Sequence, residues 1–328
     1  MENSQINESE LRTCLEVIKR ISDYYDKRIV GQQHLKTALL AAIMSNGHIL
    51  LESVPGLAKT TAAKVITDSM NAKFSKIQCT PDLLPSDIVG TQIFNYSTNK
   101  FETKIGPVQA NFVLLDEINR SSAKTQSAML EVMQERKVSI AGETHVMPEL
   151  FVVIATQNPI EQEGTYLLAE AQTDRFLLKE IIEYPSIDEE VEVLNRIETG
   201  VIEDLAPVVD VNSVLMLQNV TKKVYADLAI KKYIATIVNA TRQLGNFIDP
   251  RLASYVEMGV SPRGSISLMN VAKSVALMNG RTYVTPDDVK FLSKSVLRHR
   301  IGLNYAAVAD NVTVEQIIDA LLAAINTP

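Results

Sequence analysis

The stretch from Leu50 to Thr61, Leu-Leu-Glu-Ser-Val-Pro-Gly-Leu-Ala-Lys-Thr-Thr, constrains the fold of this chain more than any other. Ile49-Leu50-Leu51 is a short apolar run of the kind that makes a buried parallel strand. A turn with Pro55 and Gly56 follows, and Lys59-Thr60 opens a helical pattern that runs to Met70. Strand, loop, Lys-Thr and helix in that order form the context of a phosphate-binding loop. Its N–H groups (those of Ser53, Gly56, Leu57 and Ala58, with Pro55 shaping the turn and Thr61 also bordering the nucleotide) and the helix N-terminus make a positive concavity. Lys59 is expected to reach the outer phosphates, and the Thr60 hydroxyl to ligate Mg²⁺. The strict motif has glycine where this chain has Ser53 and Ala58. Both residues are small, so the cradle survives if each keeps φ below zero.

The rest of the first half supplies strands for such a loop to sit on. Phe74 to Ile77, Phe112 to Leu115, Phe151 to Ala155 and Phe176 to Ile182 are further strand candidates, most of them separated by helical patterns. Alternation of this kind predicts βαβ units and a parallel sheet covered on both faces. Gly90 to Lys104 and Lys137 to Met147 interrupt it with polar–apolar alternation about Ser97-Thr98-Asn99 and Ala141-Gly142-Glu143, which predicts two hairpins. Residues 8 to 25 carry an amphipathic helix. From Pro185 onward the pattern is helical, with cap signals at Ser186/Glu189, Ser261-Pro262 and Thr285-Pro286 and no convincing strand. The expected division is therefore an N-terminal helical extension at 1–28, an α/β core at 29–190 and an all-helical domain at 191–328.

Two strand ends carry chemistry. Phe112-Val113-Leu114-Leu115-Asp116-Glu117 would deliver two carboxylates to the C-terminal edge of the sheet, where open α/β sheets bind ligands. There Asp116 is suited to hold Mg²⁺ and Glu117 to polarise a water. The Phe151 strand ends in Thr156-Gln157-Asn158-Pro159, and Asn158 offers both a donor and an acceptor to a lytic water. Arg175, at the rim of the core, and Arg263, in the first turn of a helix in the second domain, are each compatible with a γ-phosphate contact or with a plain surface ion pair.

Composition narrows the classes. Of 328 residues 46% are hydrophobic and 22% charged, with a net charge of −7, which speaks against a general nucleic-acid binder. Two cysteines and four scattered histidines offer neither a disulfide framework nor metal-ligand spacing. The polar, acidic N-terminus is unlike a signal peptide, and no apolar run is long enough to span a membrane, so a cytoplasmic location is expected.

Taken together, the phosphate loop, Asp116-Glu117-Ile118-Asn119-Arg120, Ala155-Thr156-Gln157-Asn158-Pro159 and Ala171-Gln172-Thr173-Asp174-Arg175-Phe176 resemble the MoxR family of AAA+ ATPases. The stretches Asp116 to Glu135 and Asn158 to Tyr166 are especially similar, and the likeness runs from Val30 to about Arg300. The resemblance implies an AAA+ core with a central five-stranded parallel sheet, a helical lid, ATP and Mg²⁺ as cofactors, and a ring homo-oligomer, typically a hexamer. It implies that Val30-Gly31-Gln32 border the adenine, that Asn158 is sensor 1 and Arg263 sensor 2, and that Arg175 is the finger offered to a neighbouring subunit. Arg120 is a second candidate at that interface. The hairpins resemble the helix-2 and pre-sensor-1 inserts, which face the pore in similar rings. Family members mature or remodel protein complexes, often with von Willebrand factor A domain proteins. The rival expectations are a nucleic-acid translocase of the same superfamily and a non-catalytic nucleotide-gated scaffold.

Overall fold

A computed structural model describes residues 6–54, 56–57, 59–159, 166, 168–198 and 205–328. Pro55 and Ala58 of the expected phosphate loop, and most of the run between Asn158 and Tyr166, lie outside the described residues.

The strands are β1 (Ile49–Glu52), β2 (Phe74–Gln78), β3 (Gly90–Asn95), β4 (Lys100–Ile105), β5 (Phe112–Asp116), β6 (Lys137–Ile140), β7 (Glu143–Val146), β8 (Val152–Gln157) and β9 (Leu178–Ile181). Five of them form one sheet in the order β9-β1-β8-β5-β2, and every pairing is parallel. The main helices are α1 (Glu8–Arg28), α2 (Gln33–Met44), α3 (Lys59–Asp68), α4 (Pro85–Val89), α5 (Ala123–Glu135), α6 (Ile187–Glu198), α7 (Val211–Lys223), α8 (Leu228–Ala240), α9 (Pro262–Met278), α10 (Pro286–Phe291), α11 (Ser293–Leu297) and α12 (Val314–Ala324).

Strand alternation sorts the core into two layers. Ile49, Leu51, Phe112, Leu114, Val152, Ile154 and Leu178 point to one face, where they join α1, α2, α3 and the helices of the C-terminal half in one hydrophobic cluster. Leu50, Ile77, Val113, Leu115, Val153 and Ala155 point the other way and meet Ile88 of α4 and Met129, Leu130 and Met133 of α5. Both faces are covered, which is why the strands read as nearly unbroken apolar runs.

Both hairpins form. β3 pairs with β4 antiparallel, with Phe94 opposite Phe101, and β6 pairs with β7. At the tip of the second, Ala141 and Gly142 have φ of 49° and 89°, the two left-handed residues a tight hairpin turn requires. Of the three cap signals, Ser186 accepts from Glu189 N and Ser261 from Arg263 N, whereas Thr285 makes no such cap bond and instead donates from N and Oγ1 to Asp288.

The expectation of no strand after residue 185 is corrected. Val209–Asp210 pairs with Met70–Asn71, and Val256–Met258 pairs with Gly302–Leu303. Elements of two or three residues are too short to carry a period, so the sequence pattern could not reveal them.

Candidate functional site at the C-terminal edge of the sheet

At the end of β1 the chain turns through Ser53, Val54 and Gly56, and α3 starts at Lys59. Gly56 has φ of +89°, a conformation that favours glycine, whereas Ser53 is not among the left-handed residues. The serine therefore fits where the strict motif has glycine. Lys59 is buried, with Nζ 3.3 Å from the Ser53 carbonyl and 3.5 Å from that of Gln157, at the ends of the adjacent strands β1 and β8.

Asp116 ends a strand whose five residues are all buried. Alternation along β2, β5 and β8 brings Lys76, Asp116 and Thr156 to the face from which α3 rises. The Asp116 carboxylate accepts from Thr60 Oγ1 at 3.2 and 3.3 Å and from Thr156 Oγ1 at 2.7 Å, and Lys76 Nζ lies 2.8 Å from Oδ2. Burial alone would raise its pKa. The Lys76 ammonium and the Thr156 and Thr60 hydroxyls outweigh that effect and hold the carboxyl below its ordinary value.

Glu117 leaves the strand in a left-handed conformation, φ 58° and ψ 53°. A non-glycine residue there costs about 1–3 kcal/mol, and such residues cluster at functional sites. Its N–H donates to Thr156 Oγ1 at 2.9 Å, while its Oε2 accepts from Gln78 Nε2 and Arg120 Nη1, each at 3.1 Å. Asn158 is buried two residues past Thr156, and its carbonyl accepts from Asn119 Nδ2 at 3.2 Å. Lys59, Thr60, Asp116, Glu117 and Asn158 thus gather at one end of three adjacent strands.

Beside the loop opens a cavity of about 410 Å³, lined by Val30, Gln32, Leu57, Thr61, Pro185 and Leu194 among others. Gly31 and Gln32 both have positive φ, 66° and 55°. A Cβ on Gly31 would meet only the end of the Glu189 side chain, which can move aside, so it is the positive φ that favours glycine here. Along the cavity runs α6, none of whose residues is buried.

Arg175 and Arg263 are elsewhere. They line a second cavity, of about 300 Å³, together with Asn46, His48, Arg136 and Arg300. His48 precedes β1 and Arg175 precedes β9, so this cavity lies at the N-terminal edge of the sheet, a four-residue strand of about 13 Å from the phosphate loop. Arg175 Nη1 donates to the Leu130 carbonyl at 3.0 Å, and Arg263 Nη1 is 3.8 Å from Asp174 Oδ2. A direct link from Arg263 to the nucleotide loop of its own chain is not what this arrangement provides. Arg120, in contrast, is at the acid pair.

Residues 48–178 match the ATPase family associated with various cellular activities (AAA), and residues 248–321 match the AAA lid domain. The chain is 46% identical over 301 residues to Chaperone MoxR1 of Mycobacterium tuberculosis, covering 92% of this chain and 79% of that one. It belongs to the MoxR family of AAA+ ATPases. YeaC of Bacillus subtilis is 44% identical, with 93% of each chain covered. A crystal structure from Cytophaga hutchinsonii is 43% identical and superimposes with a TM-score of 0.91 over 98% of both chains.

Within this MoxR-family core, three residues of the site escaped sequence reasoning. Thr156 was visible only as part of a polar strand end, yet its hydroxyl ties Asp116 to the Glu117 amide. Lys76 and Gln78 sit at alternate positions of Phe74-Ser75-Lys76-Ile77-Gln78, and that alternation was the available signal. Using it required knowing that β2 pairs with β5 and that Gln78 stands opposite Asp116.

Proposed function

We propose that the chain is a Mg²⁺-dependent ATPase that remodels or matures protein complexes, with its catalytic sites completed between subunits of a ring. The observation that carries this reading is the convergence of Lys59, Thr60, Asp116, Glu117 and Asn158 at one sheet edge. The donor set fits the metal: a hydroxyl and a carboxylate are hard oxygen ligands, and Mg²⁺ pairs one or two carboxylates with substrate phosphates. Thr60 and Asp116 would hold the ion, which would supply positive charge to offset that of the phosphates.

In this reading Lys59 and the loop amides, Gly56 and Leu57 included, bind the phosphates. Val30, Gly31, Gln32 and Thr61 border the base and sugar. Glu117 takes a proton from the attacking water, and Asn158 orients that water against the γ-phosphate. Pro55 and Ala58 complete the loop on sequence grounds alone.

The arginines support shared sites. Arg175 and Arg263 share one cavity at the sheet edge away from the loop, so both are suited to a neighbour's γ-phosphate and Arg263 acts in trans. Arg120 holds Glu117 from within the chain. A closed ring, a hexamer by family resemblance, follows from a head-to-tail interface of this kind. The β3–β4 and β6–β7 hairpins would carry the motion to a protein client, with von Willebrand factor A domain proteins as the first partners to test. No helix among the described residues is long and apolar enough to cross a membrane, and we place the work in the cytoplasm.

Replacing Glu117 by Gln tests the core of this reading. The variant should bind ATP, assemble and turn over at least about 100-fold more slowly. Turnover near the parent's rate rejects Glu117 as the base. The proteins that co-purify with this trapped form would name the client.

A further inference from the structure

Lys76 has no task in the reaction as proposed, yet its ammonium is in direct contact with Asp116. It is the central residue of β2, and the pairing Lys76↔Leu114 and Gln78↔Asp116 sets its side chain on the same face as Asp116. Its Nζ is 2.8 Å from Asp116 Oδ2, and its side chain is 45% exposed, so the ammonium reaches the buried carboxylate from solvent along the edge strand. The loop lysine, Lys59, reaches carbonyls of Ser53 and Gln157 instead. Oδ1 of Asp116 is engaged by Thr156 and Thr60.

An ammonium in contact with a carboxylate cancels most of its field on a second cation. A divalent ion approaching the Thr60–Asp116 pair in the nucleotide-free protein thus meets a neutral pair rather than an anion. Among the described residues, no three His, Cys, Asp or Glu side chains group as a metal site either. Phosphates change that balance, because they bring several negative charges at once. Lysine suits the exchange: its charge sits on a flexible four-carbon stem, so it can leave the carboxylate without moving the backbone.

We propose that Lys76 is a positioning residue that neutralises Asp116 in the nucleotide-free site, so that the divalent ion enters only together with the nucleotide's phosphates. This rests on reading Thr60 and Asp116 as the metal ligands of an ATPase.

The test uses Mn²⁺ as the probe and electron paramagnetic resonance of free Mn²⁺ as the readout, on the full chain and its Lys76→Met and Lys76→Arg variants. Without nucleotide, Lys76→Met should bind one Mn²⁺ at least about tenfold more tightly than the parent, since one full charge beside the ligand is lost. Lys76→Arg, which keeps that charge, should match the parent. With ADP present, all three should take up Mn²⁺ beyond what the same ADP binds in the absence of protein. Nucleotide-free affinities of Lys76→Met and the parent within twofold of each other overturn the role of Lys76 while leaving the ATPase reading intact. A parent that fails to take up Mn²⁺ even with ADP overturns the reading of the site, and this inference with it.

Discussion

Gln78 and Glu117 are joined by a hydrogen bond of 3.1 Å from Nε2 to Oε2, between two strands that the sequence separates by 33 residues of hairpin and loop. Arg120 Nη1 meets the same oxygen at 3.1 Å. Two donors on Oε2 hold the carboxylate in one rotation and leave Oε1 for the proposed action on water. Replacing Gln78 by Ala should therefore lower kcat about tenfold and leave the KM for ATP nearly unchanged, because the lost restraint concerns orientation at the reacting atoms. Steady-state kinetics decide it. A kcat that rises instead would mean Gln78 restrains Glu117 in an idle position.

The shared cavity of Arg175 and Arg263 makes a prediction about mixtures of inactive variants. If both arginines act on the neighbour's nucleotide, a productive interface needs Lys59 from one subunit and both arginines from the next. Mixing Arg175→Ala with Lys59→Ala should restore activity, and so should mixing Arg263→Ala with Lys59→Ala. Mixing Arg175→Ala with Arg263→Ala should restore none, since every interface then lacks one arginine. Should Arg263→Ala fail to complement Lys59→Ala while Arg175→Ala succeeds, Arg263 acts within its own chain. The readout is phosphate release after subunit exchange.

What could be read from the chain beforehand follows from the range of each signal. The strand-loop-helix at Ile49–Thr61 and the strand ending in Asp116-Glu117 are local patterns, and the structure puts both at one sheet edge. The Ser186 and Ser261 caps are local too. Lys76 and Gln78 were invisible because their meaning lies in the pairing of β2 with β5, a contact between segments with a hairpin between them. The same holds for Arg263. Its place in a helix first turn was legible, but its position beside Arg175 depends on how α9 packs against the entry to β9, which no periodicity encodes.

Arg300 is the residue that fixes that packing. It is buried, and its guanidinium donates to Asp174 Oδ1 at 2.7 Å, to the Phe176 carbonyl at 2.6 Å and to Ser267 Oγ at 3.2 Å, with further bonds to the Leu177 and Val296 carbonyls. It thereby ties the end of α11 and the middle of α9 to the segment that leads into β9. Arg300→Met would take from Asp174 its buried cation, leaving it the Ser261 hydroxyl and the half-exposed Arg263, and breaking a buried pair of this kind costs about 3–5 kcal/mol. Chemical denaturation should show a loss in that range. Because Asp174 also faces Arg263, the variant should impair hydrolysis even where it remains folded.

Two buried histidines set the response to mild acid. His48 accepts from Val153 N at Nδ1, 3.0 Å, and bonds the Met133 carbonyl through Nε2, 3.1 Å, so it is held in the neutral form. Burial, with Arg136 nearby, lowers its pKa from 6.5 to about 4. Burial likewise pushes His299 well below the ordinary value, with Arg300 adding to the effect. In both cases the unfolded chain binds the proton more readily, so the stability each contributes is complete above pH 6.5 and is lost as pH falls toward the folded value. His34 has the opposite sign: its hydrogen bond to Glu180 raises its pKa, and that contribution is complete once pH has fallen below 6.5. Between pH 6.5 and about 5 the buried pair therefore acts unopposed by His34, before aspartates begin to titrate. His48 should remove roughly 2 kcal/mol across that window, at about 1.4 kcal/mol per unit, and His299 acts in the same direction. Urea unfolding at several pH values checks this, and His48→Gln should flatten the slope whatever it does to the stability at pH 7.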